Sequence, residues 1–126
     1  LRPTGDRIRE TLFNWLQPNI VDANCLDLFA GSGSLGLEAK SRGCASCTLI
    51  EKNKNVFTCL RNTIESFGAS VDLINDDALD YLASTQFNKK FDIVFHLMVS
   101  KIFPLHELTK YQERYFPSHV TLLNYY

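Results

Sequence analysis

The sequence predicts an α/β domain built on an open, mostly parallel sheet with helices on both faces. Three observations carry that prediction. Short apolar runs alternate with segments of helical periodicity, and such strands pair in parallel through right-handed crossovers. The run Gly31-Ser32-Gly33-Ser34-Leu35-Gly36 falls between one such strand and the helix after it. The acidic residues Asp27, Glu51 and Asp77 close or follow three successive strands, which puts them on the carboxyl edge of one sheet.

Taken in order, the first helix spans Gly5 to Leu16. Ile8, Leu12, Trp15 and Leu16 stand at i, i+4, i+7 and i+8, so Trp15 is expected in the core rather than as a base-stacking platform. Thr4 is placed to cap this helix and Pro18 to stop it. Cys25-Leu26-Asp27-Leu28-Phe29 reads as a buried strand, and Ser34 to Arg42 as a helix ended by Gly43. Thr48 to Glu51 is the second strand. The helix from Asn53 to Phe67 follows, with Val56, Phe57, Leu60 and Ile64 on its inner face and Gly68 at its end. Val71 to Asn75 is the third strand, Ala78 to Ala83 a short helix, and Phe91 to Phe95 the fourth strand. Past Phe95 the pattern weakens, although Leu105 to Arg114 suits a helix and Val120 to Tyr126 an extended segment. The expected division is a binding half over residues 1–95 and a tail of weaker pattern over 96–126.

Composition narrows the function classes. A chain of 126 residues is one domain or a piece of a larger one, and 45% apolar with 21% charged residues is enough for a core and too little bias for disorder. A net charge of −1 excludes a domain that holds nucleic acid by bulk positive charge alone. No apolar run approaches the roughly 18 residues of a membrane span, and no secretory signal is visible, although the chain opens at Leu1. Cys25, Cys44, Cys47 and Cys59 are too sparse for a disulfide scaffold and suit a reducing cytoplasm. Cys44-x-x-Cys47 has no second pair and no nearby histidine, so neither zinc nor thioredoxin-type chemistry is expected. Cys47 reads as the start of a buried strand, and Cys25 and Cys59 as small core residues. The expectation is a cytoplasmic domain with no membrane partner and no metal.

The glycine run lets the backbone turn sharply and approach a ligand, with helix N–H groups pointing at it. A carboxylate at Glu51 can accept both ribose hydroxyls of a nucleoside, and Asp77 can accept from an adenine amine. Two ligand classes fit that much. A dinucleotide would set its pyrophosphate on the glycines and gain nothing from an anion beside it. S-adenosylmethionine has no pyrophosphate and carries a cationic amino-acid end, which an acid before the glycines helps to orient. Asp27 therefore favours S-adenosylmethionine.

Leu1-Arg2-Pro3-Thr4, Asp6-Arg7-Ile8-Arg9-Glu10, Leu12-Phe13-Asn14 and the run from Leu26 through Gly36 closely resemble the bacterial 16S ribosomal RNA (guanine-N2)-methyltransferase family. The resemblance extends through Phe95. It implies a Rossmann-like class I fold that uses S-adenosyl-L-methionine to methylate a guanine in ribosomal RNA or the assembled small subunit. By position, Asp27, Phe29, Gly31 and Gly33 line the methionine end, with Ala30 also at the cofactor. Glu51 holds the ribose, Asp77 and Ala78 the adenine, and Arg2, Thr4 and Arg7 lie over the cofactor or towards the RNA.

The resemblance stops where the family's fourth strand runs into a D-P-P-F or N-P-P-Y type motif. Here Phe95 is followed by His96-Leu97-Met98-Val99, with no acid, no proline pair and no aromatic. That motif supplies acceptors for the hydrogens of a delocalised, weakly nucleophilic amine and a face on which the flipped base stacks. His96 offers one acceptor and no stacking face of that kind, so the catalytic positions are unassigned. A catalytically impaired S-adenosylmethionine-binding remnant is the alternative. If strands beyond the fourth are missing, its open edge would invite self-association, and the fold would be truncated there.

Overall fold

Parallel pairing sets the architecture. The structure, a computed structural model, describes residues 4–84, 91–95 and 121–123, and the side chains of all of these but 4–6, 8 and 121–123. The helices are α1 (Thr4–Ile20), α2 (Ser34–Ser41), α3 (Lys54–Phe67) and α4 (Ala78–Ala83). The strands are β1 (Asn24–Asp27), β2 (Ser46–Ile50), β3 (Asp72–Ile74), β4 (Ile93–Phe95) and β5 (Thr121–Leu123). They form one sheet in the order β3-β2-β1-β4-β5, every pair parallel. Cys25 lies opposite both Cys47 and Ile93, and Asp27 opposite both Leu49 and Phe95. Chain order reverses between β1 and β4, the switch point beside which open α/β sheets bind ligands.

Side chains alternate across each strand, so the sheet builds a core on each face. Cys25, Cys47, Leu49, Ile93 and Phe95 point one way and meet Phe13, Leu16 and Ile20 of α1, Leu35 and Ala39 of α2, and Leu60 and Ile64 of α3. Leu26, Leu28, Ile50 and Val94 point the other way and meet Ala78, Tyr81 and Leu82 of α4 together with Phe91. Burial on both sides is the reason the strands read as continuous apolar runs.

Several boundaries and faces differ from expectation, each for a physical reason. Helix α1 does not stop at Pro18 but carries it inside and continues to Ile20. Proline removes the hydrogen bond to the carbonyl of Asn14, yet both residues sit on the solvent side, where water can replace it. Complete burial of Ile20 rewards the extra turn. The inner face of α1 is Phe13, Leu16 and Ile20, and Trp15 is 76% exposed rather than in the core. It follows Phe13 by two residues, about 200° around the helix. On α3, Leu60 and Ile64 are buried, whereas Val56, expected on the inner face, is exposed, Phe57 is half-buried, and Cys59, expected in the core, is exposed. The edge of β4 is not open: β5 pairs along it, Ile93 opposite Thr121 and Phe95 opposite Leu123. The basis for self-association through that edge is thereby removed, and the extended segment expected near the chain end is realised over Thr121–Leu123. The helix expected over Leu105 to Arg114 lies outside the described residues.

Phe13 locks α1 to the centre of the sheet. It is fully buried, its ring centroid 5.5 Å from that of Phe95 and tilted by 40°. The Arg42 guanidinium lies 5.5 Å above the same ring. Phe13→Ala is expected to cost about 3–5 kcal/mol in urea unfolding. A loss below about 1 kcal/mol would show that α1 is not fixed by this contact.

Candidate functional site

Strand β1 delivers Asp27 to the carboxyl edge with no exposed surface. Its Oδ1 accepts the Phe29 N–H at 3.1 Å, while its Oδ2 is buried and has no hydrogen-bond partner among the described residues. Burial pushes the carboxyl from 3.8 up to about 7; the Phe29 N–H opposes that rise and the nearby Glu51 charge adds to it. A buried acceptor left open in this way suits a cationic or hydrogen-bond-donating group brought from outside.

Glu51 follows β2 directly and serves as a tie. Its Oε1 accepts the Gly31 N–H at 2.9 Å and its Oε2 the Asn53 N–H at 2.9 Å, so one carboxylate holds the glycine turn to the start of α3. Each oxygen keeps a lone pair for a hydroxyl donor. Asp77 caps α4, its Oδ2 accepting from the Leu79 and Asp80 N–H groups at 3.0 and 3.2 Å. That leaves Oδ1, which lies 3.6 Å from the Lys52 ammonium.

Between these acids the glycine turn keeps the backbone accessible. Gly31 and Gly33 have φ of 55° and 82°. A Cβ at Gly33 would overlap Leu60 Cδ1, whereas one at Gly31 would meet nothing within 4 Å, so the Gly31 backbone faces open space. A groove of about 430 Å³ runs beside the turn, lined by Gly31, Ser32, Asn55, Val56, Cys59, Leu60 and Thr63. It is largely apolar, and none of the three acids lines it.

The structure thus brings Asp27, Glu51 and Asp77 to one edge, along with half-buried Phe29, buried Ala30, the two glycines and buried Ala78. Arg7 is not gathered with them. It is exposed on α1 and, with Arg9, Glu10, Glu38 and Arg42, borders a separate hollow of about 340 Å³. Arg2 and His96, Leu97, Met98 and Val99 lie outside the described residues, as does the side chain of Thr4. Among the described residues no His/Cys/Asp/Glu group has the arrangement of a metal site, and no helix is long and apolar enough to cross a membrane. Cys25, Cys44 and Cys47 are free and buried. Sequence reasoning overlooked Asn75, whose amide donates to the Glu51 and Lys52 carbonyls at 2.8 and 3.1 Å. A lone amide between a strand and two aspartates was the available signal.

The family model described as conserved hypothetical protein 95 matches residues 1–96. Ribosomal RNA small subunit methyltransferase D of Haemophilus influenzae is 48% identical over 98 residues, covering 75% of this chain and 51% of its own. The protein of the same name from Escherichia coli K12 is 55% identical over 84 residues, 66% of this chain and 42% of its own. The chain therefore spans about half the length of these curated relatives. The solved structure of Escherichia coli yhhF superposes with a TM-score of 0.82 at 38% identity, covering 96% of this chain and 70% of that one. A precorrin-6y C5,15-methyltransferase from Geobacter metallireducens shares the fold, with a TM-score of 0.75 at 20% identity over 94% of this chain and 61% of its own. These neighbours establish a Rossmann-like class I methyltransferase fold.

The Asp27 carboxyl gives this edge a pH signature. The folded chain keeps the proton up to about 7 and the unfolded chain only to about 3.8, so folding stability falls as pH rises between those values and stays lowered above them. Asp27→Asn cannot ionise. In urea unfolding it is expected to exceed the parent chain by on the order of 3 kcal/mol at pH 8 and to lose most of that margin by pH 5. The same difference at both pH values would contradict the buried, open carboxylate.

Proposed function

The chain belongs to the conserved hypothetical protein 95 family, and from that premise we propose that it forms the cofactor-binding part of a methyltransferase. Its substrate in this reading is the exocyclic N2 amine of a guanine in small-subunit ribosomal RNA, free or in the assembled subunit, in the cytoplasm. Support for the RNA substrate comes from the relatives named ribosomal RNA small subunit methyltransferase D.

One observation carries the cofactor assignment: the buried Asp27 oxygen that no donor among the described residues reaches. S-adenosyl-L-methionine, when bound, supplies an electrophilic methyl group on a sulfonium and brings an ammonium at its amino-acid end. Asp27 Oδ2 accepts from that ammonium, directly or through water, and the added positive charge favours the ionised carboxylate. Phe29, Ala30, Gly31 and Gly33 line this end and exclude bulk water. Glu51 takes the ribose hydroxyls on the lone pairs that Gly31 and Asn53 leave free. Asp77 Oδ1, beside Ala78, accepts the adenine amine, its other oxygen being held by α4. The same Asp27 repels the pyrophosphate of a dinucleotide, which disfavours an NAD-dependent oxidoreductase. Arg2, Thr4 and Arg7 are assigned in this reading a place over the cofactor or towards the RNA, on the resemblance alone.

The departure at His96, Leu97, Met98 and Val99 favours a second reading, binding of the cofactor without methyl transfer. Incubation with labelled cofactor and small ribosomal subunits separates the two readings, since only the enzyme incorporates methyl. The primary test is calorimetric titration with S-adenosylmethionine and, as control, NAD. Micromolar affinity for the first and none for the second is expected. Silence with both, from a chain that circular dichroism shows to be folded, would contradict the assignment.

A further inference from the structure

We infer that Asn75 is a positioning residue for the cofactor site: its side-chain amide fixes the backbone of Glu51 and Lys52 and so holds the ribose carboxylate in place. This rests on the reading of Glu51 given above. Asn75 follows β3, and a single nitrogen, Nδ2, donates both of its hydrogens across to the neighbouring turn. One goes to the Glu51 carbonyl at 2.8 Å and the other to the Lys52 carbonyl at 3.1 Å. The Glu51 carbonyl also accepts the Asp76 N–H at 3.2 Å, and the Glu51 N–H donates to Ile74 at 3.0 Å. Glu51 is thus held by its backbone from the β3 side while its carboxylate grips Gly31 and Asn53.

The chemistry of this contact is specific. Two carbonyl oxygens converge on one group, so the group must donate twice and carry no acceptor towards them. A primary amide does so without adding charge beside Glu51. An aspartate of the same shape would turn a negative oxygen towards both carbonyls and add a second anion near the ribose carboxylate. The Lys52–Asp77 ion pair, at 3.6 Å, joins the same two turns further out. The turn bearing the ribose acid and the turn bearing the adenine acid are therefore one unit, with Asn75 as its inner link.

Two variants and two readouts test this. Asn75→Ala loses both donors and is expected to weaken S-adenosylmethionine binding by about fivefold in calorimetry, as solvent-exposed hydrogen bonds of this kind contribute modestly. Asn75→Asp is expected to bind more weakly than the alanine variant. The second readout needs no ligand: amide hydrogen exchange at Gly31 and Asn53, the two donors to the Glu51 carboxylate. Faster exchange there in both variants, with Leu26 and Leu49 in the central strands unchanged, supports the inference. Unchanged exchange at Gly31 and Asn53 overturns it whatever the ligand does, as does equal loosening of the central strands, which marks a general structural role. A parent chain that fails to bind counts against the proposed function, while the exchange data still decide whether Asn75 positions Glu51. With a binding parent, equal affinity of the parent and both variants overturns the inference.

Discussion

Burying Asp27 at the end of the central strand costs free energy that the described residues do not recover, because among them only one carboxylate oxygen has a donor. Register fixes the position. Asp27 faces Leu49 on one side and Phe95 on the other, so the strand cannot tilt its last side chain into water without breaking two ladders. The consequence is a carboxyl whose proton affinity rises to about 7 and whose Oδ2 remains open. A fold that keeps such a group carries a deficit on this edge, which a hydrogen-bond donor or a positive charge would offset.

The other two acids differ in kind. Glu51 and Asp77 spend oxygens on backbone N–H groups and thereby shape the edge: Glu51 joins the glycine turn to α3, and Asp77 starts α4. Their remaining lone pairs are available to hydroxyl or amine donors. One acid keeps an oxygen open, and two partly committed acids fix the backbone around it. Preorganisation of this sort lowers the ordering cost of binding.

Much of the fold was legible because parallel strands buried on both faces leave an unmistakable trace: Cys25 to Phe29 and Phe91 to Phe95 read as apolar runs, and glycines punctuate the turns. The three acids were legible because strand ends and a glycine run locate a sheet edge without any knowledge of packing. Trp15 was misread because Leu12, Trp15 and Leu16 share a helical face as plausibly as Phe13, Leu16 and Ile20, and only the tertiary partner, Phe95, chooses between them. Pro18 was misread for a related cause, since burial of Ile20 offsets a lost hydrogen bond on the solvent side. Asn75 was overlooked because a lone amide before two aspartates does not show which turn it reaches, and that turn lies far away in sequence. The covering of β4 by β5 was out of reach because three-residue pairing leaves almost no periodic signal.

Carbon-13 NMR of the Asp27 carboxyl, titrated from pH 4 to 9 with and without S-adenosylmethionine, tests the central claim most directly. A midpoint near 7 in the free chain, displaced to well below 6 by the cofactor, is the expected result. Titration near 4 in both states would mean that the carboxylate is neither desolvated nor the group that meets the cofactor's positive charge.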